Sequence, residues 1–280
     1  MTGARGPRLG QAEDEAIADR SFQSVAITGA GAGLGRALAL ELARPGVRLF
    51  LGGRTGARLD EVASACRIRG AGVETAFVDV RDAAAVSDWL AACDGVHPLD
   101  LVIANAGVLT GRAAERRCED ACAAADLVAT NLGGVVATAT AAADLMVPRG
   151  RGTIALVSSL AAFFPHADAP AYSASKAGVT AFATALDEAV AADGLVISVV
   201  HPGHVETGQT ARQNGALPMM VSPEAAARRI VAGLARGRRR ITFPLRLRLL
   251  IGLHGALPRR LRHAINRPFR FHVSDGAGDR

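Results

Sequence analysis

Ser24-Val25-Ala26-Ile27-Thr28 runs straight into Gly29-Ala30-Gly31-Ala32-Gly33-Leu34-Gly35, and Arg36 to Ala43 follow with the periodicity of a helix. A short apolar strand, a glycine-rich turn and a helix form the unit in which backbone amides and a helix N-terminus can approach a pyrophosphate without side-chain interference. The spacing departs from G-x-G-x-x-G, because Leu34 stands where the third glycine is required. Alone, the loop is equally compatible with a bare turn.

Outward from this unit the chain alternates. Val47 to Leu51, Val73 to Val80, Leu99 to Ala104, Thr153 to Val157 and Leu195 to Val200 read as strands. Between them lie helical Ala57 to Arg67, Ala83 to Ala92, a long alanine-rich stretch from about Glu115 to Met146, and a helix carrying Tyr172 and Lys176. Helical Pro223 to Ala235 and a strand at Arg240 to Phe243 close the series. Strands this apolar are buried on both faces. The alternation predicts an α/β fold: a single doubly wound, Rossmann-type parallel sheet with helices on both faces and a C-terminal helical extension. The expected boundaries are a loose leader over 1–21, a catalytic domain over 22–244 and a basic, leucine-rich extension over 245–280. No apolar stretch reads as long enough to span a bilayer, which needs about 18 to 20 residues.

Half of the 280 residues are apolar, enough for one large core. The first twenty residues lack an apolar signal core and carry Glu13, Asp14 and Glu15, which argues against a secretory or organellar leader. Cys66, Cys93, Cys118 and Cys122 form no C-x-x-C pair and have no histidines placed to complete a zinc site, so they read as reduced thiols of a cytoplasmic protein without a metal. The net charge of +6 conceals an asymmetry: residues 1–227 carry 18 basic and 24 acidic side chains, whereas 228–272 carry 13 arginines and no acid. The body has the surface of an ordinary soluble enzyme, and the extension suits an acidic surface.

Tyr172 and Lys176 are the only tyrosine and the only lysine, four positions apart. On a helix they share a face, and an ammonium near a phenol favours its ionised form, lowering a pKa of about 10 toward proton-transfer range. In open sheets of this kind ligands sit beyond the carboxyl ends of the strands. The unusual sequences stand at those ends: Gly29 to Gly35, Gly53-Arg54, Asp79-Val80, Asn105-Ala106-Gly107, Ser158-Ser159 and Pro202-Gly203.

With these motifs in order, the chain over roughly 22–245 resembles the short-chain dehydrogenase/reductase family. Thr28-Gly29-x-x-x-Gly33-x-Gly35 resembles its glycine motif, Asn105-Ala106-Gly107 its N-A-G element, Tyr172-x-x-x-Lys176 its active-site pair and Pro202-Gly203-x-Val205-x-Thr207 its nicotinamide-side loop. Ser159, thirteen residues before Tyr172, matches the catalytic serine, and Asn131 matches the asparagine of a Ser-Tyr-Lys-Asn tetrad. Ala104 departs from the second asparagine of many members, with no catalytic consequence.

The resemblance implies hydride transfer between nicotinamide and a carbonyl or alcohol carbon. Tyr172 would give or take the proton, Ser159 would hydrogen-bond the reacting oxygen, Lys176 would depress the pKa of Tyr172 and bind the nicotinamide ribose, and Asn131 would hold a proton-relaying water. Cofactor contacts are expected from Thr28, Gly29, Gly31, Ala32, Gly33, Leu34, Gly35, Arg54, Asp79, Val80, Asn105, Ala106, Gly107, Tyr172, Lys176, Pro202, Gly203, Val205 and Thr207. Arg54, where a carboxylate would select NAD(H), favours NADP(H), with NAD(H) as the alternative if Arg54 is only a solvated loop residue. Substrate contacts are expected from Ser159, Tyr172, Phe163 and His204. Val108, Leu109, Phe163, Phe164, Met219 and Met220 suggest a hydrophobic carbonyl or alcohol. His166 reads as a solvated loop residue.

Other readings are a non-catalytic NADP(H)-binding regulator, against which the intact tetrad speaks, and nucleic-acid binding by the arginine-rich tail, against which its leucines speak. Two helices are expected there, Leu245 to Leu257 and Arg259 to Asn266, each behind or at a proline suited to a first helical position. Their leucines would either cover the substrate cleft or a subunit interface, or lie in the headgroups of the inner membrane face. A homodimer or homotetramer is the expected assembly.

Overall fold

The structure is a computed structural model and describes residues 21–215, 219–255, 257, 258, 260, 261 and 270–273. The leader up to residue 20 and most of the second expected tail helix lie outside the described residues. Strands β1 (Ser24–Thr28), β2 (Arg48–Gly53), β3 (Gly72–Phe77), β4 (Leu101–Ala104), β5 (Gly152–Val157) and β6 (Leu195–Pro202) alternate with helices. A short β7 (Gln213–Asn214), β8 (Arg240–Phe243) and β9 (His272–Val273) follow. The main sheet is parallel throughout, in the order β3-β2-β1-β4-β5-β6-β8.

Alternation along each strand feeds two cores. Val25 and Ile27 of β1 pack with Leu38 and Leu42 of α1 (Gly33–Leu42), Leu59 of α2 (Gly56–Ile68), and Ile230 and Leu234 of α7 (Pro223–Ala235). Ala26 and Val102 face the opposite core, with Leu90 of α3 (Ala83–Val96), Met146 of α5 (Gly134–Met146) and Val179 of α6 (Pro170–Ala189). Both faces of the sheet are covered, as the uninterrupted apolar strands require.

The long alanine-rich helix expected from Glu115 begins later. Asp120 accepts from the backbone N–H groups of Cys122 and Ala123 and starts α4 (Ala121–Val128). A π-helical turn, Ala129–Gly133, then separates α4 from α5. Contrary to the expectation from sequence, one helical run, Ala121–Arg149, is long and apolar enough by length and composition to cross a membrane. Here α5 packs on α3, β4 and β5, and α4 on α6.

The strand order reverses between β1 and β4, so the loops after them diverge and open a crevice above the sheet. The N-cap of α1 is Ala32, which offers no side-chain cap, so the first amides of α1 are left for a ligand. Beyond β8, α8 (Leu245–Gly255) forms as expected. The pairing of β7 with β9, which brings the C-terminal residues back across the molecule, has no counterpart in the sequence reading.

Candidate active site

The glycine loop and the N-A-G turn touch backbone to backbone. A Cβ on Gly35 would stand 2.2 Å from the carbonyl oxygen of Gly29, and one on Gly29 would stand 2.7 Å from Cα of Ala106. Gly29 and Gly33 also sit at φ of +66° and +51°, the left-handed region. Asn105 Nδ2 donates to the carbonyls of Thr28 (3.0 Å) and Gly29 (3.2 Å), while Thr28 Oγ1 accepts from the amides of Asn105 (3.0 Å) and Ala106 (3.1 Å). Two of the expected cofactor contacts are thereby reassigned. Thr28 is buried beneath the loop, and Gly31 packs on Arg58 and Leu59, so neither lines the cleft. Gly29, Ala32, Gly33, Leu34 and Gly35 do.

One cleft of about 910 Å³ collects the remaining strand ends. At its β2–β3 end stand Gly53, Arg54, Asp79 and Val80. The Arg81 guanidinium, hydrogen-bonded to Asp79 at 2.6 Å, holds that carboxyl below its usual range, and the charge of Arg54 adds to the effect. Arg58, in the first turn of α2, lines the same end and was missed from sequence. Its place four residues after Arg54 was the available signal.

In the middle of the cleft, Tyr172 and Lys176 rise from α6, whose second residue, Ala171, donates its N–H to Glu119 Oε2 at 2.8 Å. The two serines after β5 divide their work. Both border the cleft, but Ser158 is buried and donates to the Lys176 carbonyl (2.7 Å), whereas Ser159 hydrogen-bonds with Tyr172. Lys176 Nζ donates to the Val157 carbonyl at 2.9 Å and lies 5.8 Å from the Tyr172 ring centre. Burial brings the ammonium down to about 8. Burial also raises the Tyr172 phenol, with the Ser159 hydrogen bond opposing it. The depression expected from the i,i+4 lysine is therefore absent from this arrangement, because Lys176 is turned toward Val157.

Asn131 sits in the π-helical turn, fully buried, and brackets Val108: its Oδ1 accepts from the Val108 N–H (2.7 Å) and its Nδ2 donates to the Val108 carbonyl (2.8 Å). A Cβ on Gly107 would meet Asn131 Oδ1 at 3.3 Å and Lys176 Nζ at 3.5 Å, so both polar groups flank one point of the N-A-G turn. From the β6 side, Pro202, Gly203, His204, Val205 and Thr207 complete the wall. Gln209 Nε2 bridges to the Gly107 carbonyl at 2.9 Å.

The other end is apolar and partly unforeseen. Val108, Leu109 and Phe164 line it as expected, joined by Leu247, Leu250, Ile251, Leu257 and Phe271 of the C-terminal extension. Phe163 does not line it: its ring stacks on His201 at 4.7 Å and beneath the Arg248 guanidinium at 4.4 Å. Met219 and Met220 are exposed away from the cleft. His166, expected in solvent, lines the cleft between Phe164 and Phe271, and burial, with the charge of His204, brings it down to about 4. Among the described residues no group of three or more His, Cys, Asp or Glu could hold a metal ion.

A dinucleotide fits these residues: a glycine-lined loop facing the cleft, an uncapped helix N-terminus, and two arginines at one end. Residues 23–217 match the short chain dehydrogenase family, and the chain belongs to it. It is an NAD(P)-dependent oxidoreductase. An oxidoreductase of Myxococcus xanthus strain DK1622 is 35% identical over 255 residues, which are 91% of this chain and 100% of that one. A short-chain dehydrogenase from Sphingobium yanoikuyae, solved in complex with NADPH, superimposes with a TM-score of 0.72 at 26% identity, over 85% of this chain and 97% of that one. A variant of actinorhodin polyketide ketoreductase with NADPH follows at 0.69 and 26%, over 79% and 95%.

Proposed function

We propose that the chain is an NADP(H)-dependent oxidoreductase that interconverts a hydrophobic carbonyl compound and its alcohol, with Tyr172 as general acid and base. The observation that carries this reading is the convergence of Tyr172, Ser159 and Lys176 in one cleft whose far end holds Arg54 and Arg58, with Asn131 buried behind the N-A-G turn that lines it. When bound, the nicotinamide cofactor supplies or accepts the hydride. Tyr172 gives its phenolic proton to the oxygen of the reacting carbon in reduction and takes it back in oxidation. Ser159 hydrogen-bonds the same oxygen where negative charge develops. Lys176, near its own neutral point at about 8, and Asn131, beside it at Gly107, hold the route by which the phenol is reprotonated. Gly33 and Gly35, with the first amides of α1, take the pyrophosphate.

Preference for NADP(H) rests on Arg54 and Arg58 where a carboxylate would otherwise meet the ribose. The NADPH complexes of two relatives by structure support it. The apolar wall supports a hydrophobic substrate. Four free thiols fit a reducing, cytoplasmic setting, and a homodimer or homotetramer follows from family resemblance. Leu247 and Ile251 turn into the cleft, which favours the tail as a cleft wall over a membrane contact. The test is a panel of ketones and secondary alcohols with NADPH and NADH, followed by nicotinamide absorbance. Turnover of apolar ketones with NADPH at least about tenfold above NADH is expected. Equal use of both coenzymes would remove the arginine argument, and a regulator would bind NADPH and reduce nothing.

A further inference from the structure

Asp168, in the loop between β5 and α6, is a buried carboxylate that gathers two distant segments. It accepts from Arg112 Nε at 2.6 Å, from Arg270 Nε at 2.9 and 2.7 Å, and from the Phe271 N–H at 3.1 Å. The backbone repeats the connection: Arg112 N–H donates to the Asp168 carbonyl (2.9 Å), Val273 N–H to the Arg112 carbonyl (3.2 Å), and β9 pairs antiparallel with β7. The join is tight, since a Cβ on Gly111 would stand 2.8 Å from the Asp168 carbonyl and 2.9 Å from Val273. Phe271 is thereby laid on His166, ring centres 5.6 Å apart, and into the cleft lining beside Leu247 and Ile251. The family match ends at residue 217, so this wall lies outside it.

We propose that Asp168 is a positioning residue that holds the C-terminal strand as the outer wall of the substrate compartment, and that this wall selects ketones and secondary alcohols with an extended apolar chain. The inference rests on the oxidoreductase reading above. Aliphatic and aromatic groups at Leu109, Phe164, Leu247, Ile251 and Phe271 offer a charged or hydroxyl-rich chain no hydrogen-bond partner, whereas each methylene moved onto them leaves water. Arg212 also lines the cleft, and its Nε is buried without a hydrogen-bond partner. A carboxylate at the end of the substrate chain is therefore the alternative that a test must contain.

The test measures kcat and KM with NADPH for methyl ketones from butanone to tridecanone, and for keto acids of matching length. The proteins are the wild type, Asp168→Asn and Arg270→Ala. In the wild type, kcat/KM should rise about threefold per added methylene, and the keto acids should trail the ketones. Asp168→Asn loses charge-assisted bonds, so KM for tridecanone should rise about tenfold. The butanone parameters and the Kd for NADPH should stay within about twofold, a split that general destabilisation would not produce. Arg270→Ala, at a half-exposed side chain, should move the same way by a smaller factor, which keeps the answer readable if Asp168→Asn fails to fold. A flat chain-length profile, a preference for keto acids, or equal losses on butanone and tridecanone would overturn the proposal. Failure of the wild type to reduce any ketone would instead sink the oxidoreductase reading. Calorimetric titration of tridecanone then decides the wall: weaker binding to Arg270→Ala supports it, and equal binding overturns it.

Discussion

At the β1–β4 end of the cleft, Gly29 to Gly35 and Asn105 to Gly107 meet backbone to backbone; at the other end, Leu247, Ile251 and Phe271 arrive from more than seventy positions beyond Tyr172, and Phe271 is fastened by Asp168. The first arrangement is dictated by what cannot be present, a Cβ at Gly35 or Gly29. The second depends only on apolar character and on one buried charge with its partners. A backbone-determined site tolerates almost no substitution and writes itself as a motif. A side-chain wall can change shape while the chemistry beside it stays constant.

The largest effect that separates the two ends should come from Gly35→Ala. Its Cβ would collide with the Gly29 carbonyl, which is backbone and cannot swing aside, so affinity for NADPH should fall at least about hundredfold. Phe271→Ala, by fluorescence titration, should leave the Kd for NADPH within about twofold. Comparable losses in both variants would dissolve the distinction.

Acid should act on the sheet beneath the cleft. His201 is fully buried beside Thr180 and Thr242, stacked on Phe163, and burial, then the charges of Arg240 and Arg248, hold it down to about 4. An unfolded histidine takes its proton near 6.5. Stability is therefore fully present above about 6.5 and is lost as pH falls toward 4, by about 3 kcal/mol for this group. The Tm of His201→Gln should decline less steeply over that window. An unchanged slope would place the acid sensitivity elsewhere.

A smaller effect is expected from Arg54→Ala, which should weaken NADPH binding about tenfold and leave NADH nearly unchanged. The double variant with Arg58→Ala should reduce the preference further, because both side chains line that end. If Arg54→Ala weakens both coenzymes equally, the arginine is holding the loop and not reading a phosphate.

What the sequence made legible follows the same division. Alternating apolar runs marked the seven main strands and their parallel sense, though not their order, and Ser159, Tyr172 and Lys176 meet in one cleft, with Asn131 behind the N-A-G turn. Periodicity could not reveal the π-helical turn that aims Asn131 inward, since the turn shifts the helix by one residue without altering its composition. Phe163 and Phe164 were indistinguishable as neighbours; contacts with His201 and the Arg248 guanidinium hold the first away from the cleft. Thr28 was placed on the cofactor by its motif, whereas its hydroxyl is spent on the amides of Asn105 and Ala106. A cover of leucines over the cleft was one of the readings of the tail, whereas the return of Phe271 stayed hidden because β7 and β9 are two residues each and lie far apart in the chain.

In the proposed reaction Tyr172 moves the proton and does little else. The most direct measurement is kcat for an apolar ketone in Tyr172→Phe together with its Kd for NADPH. The substitution removes the phenolic oxygen that hydrogen-bonds Ser159 and leaves the packed ring beside Lys176. A loss in kcat of about a thousandfold or more is expected, with the NADPH Kd changed less than about twofold. A correctly folded Tyr172→Phe enzyme that keeps a tenth or so of its turnover would contradict it.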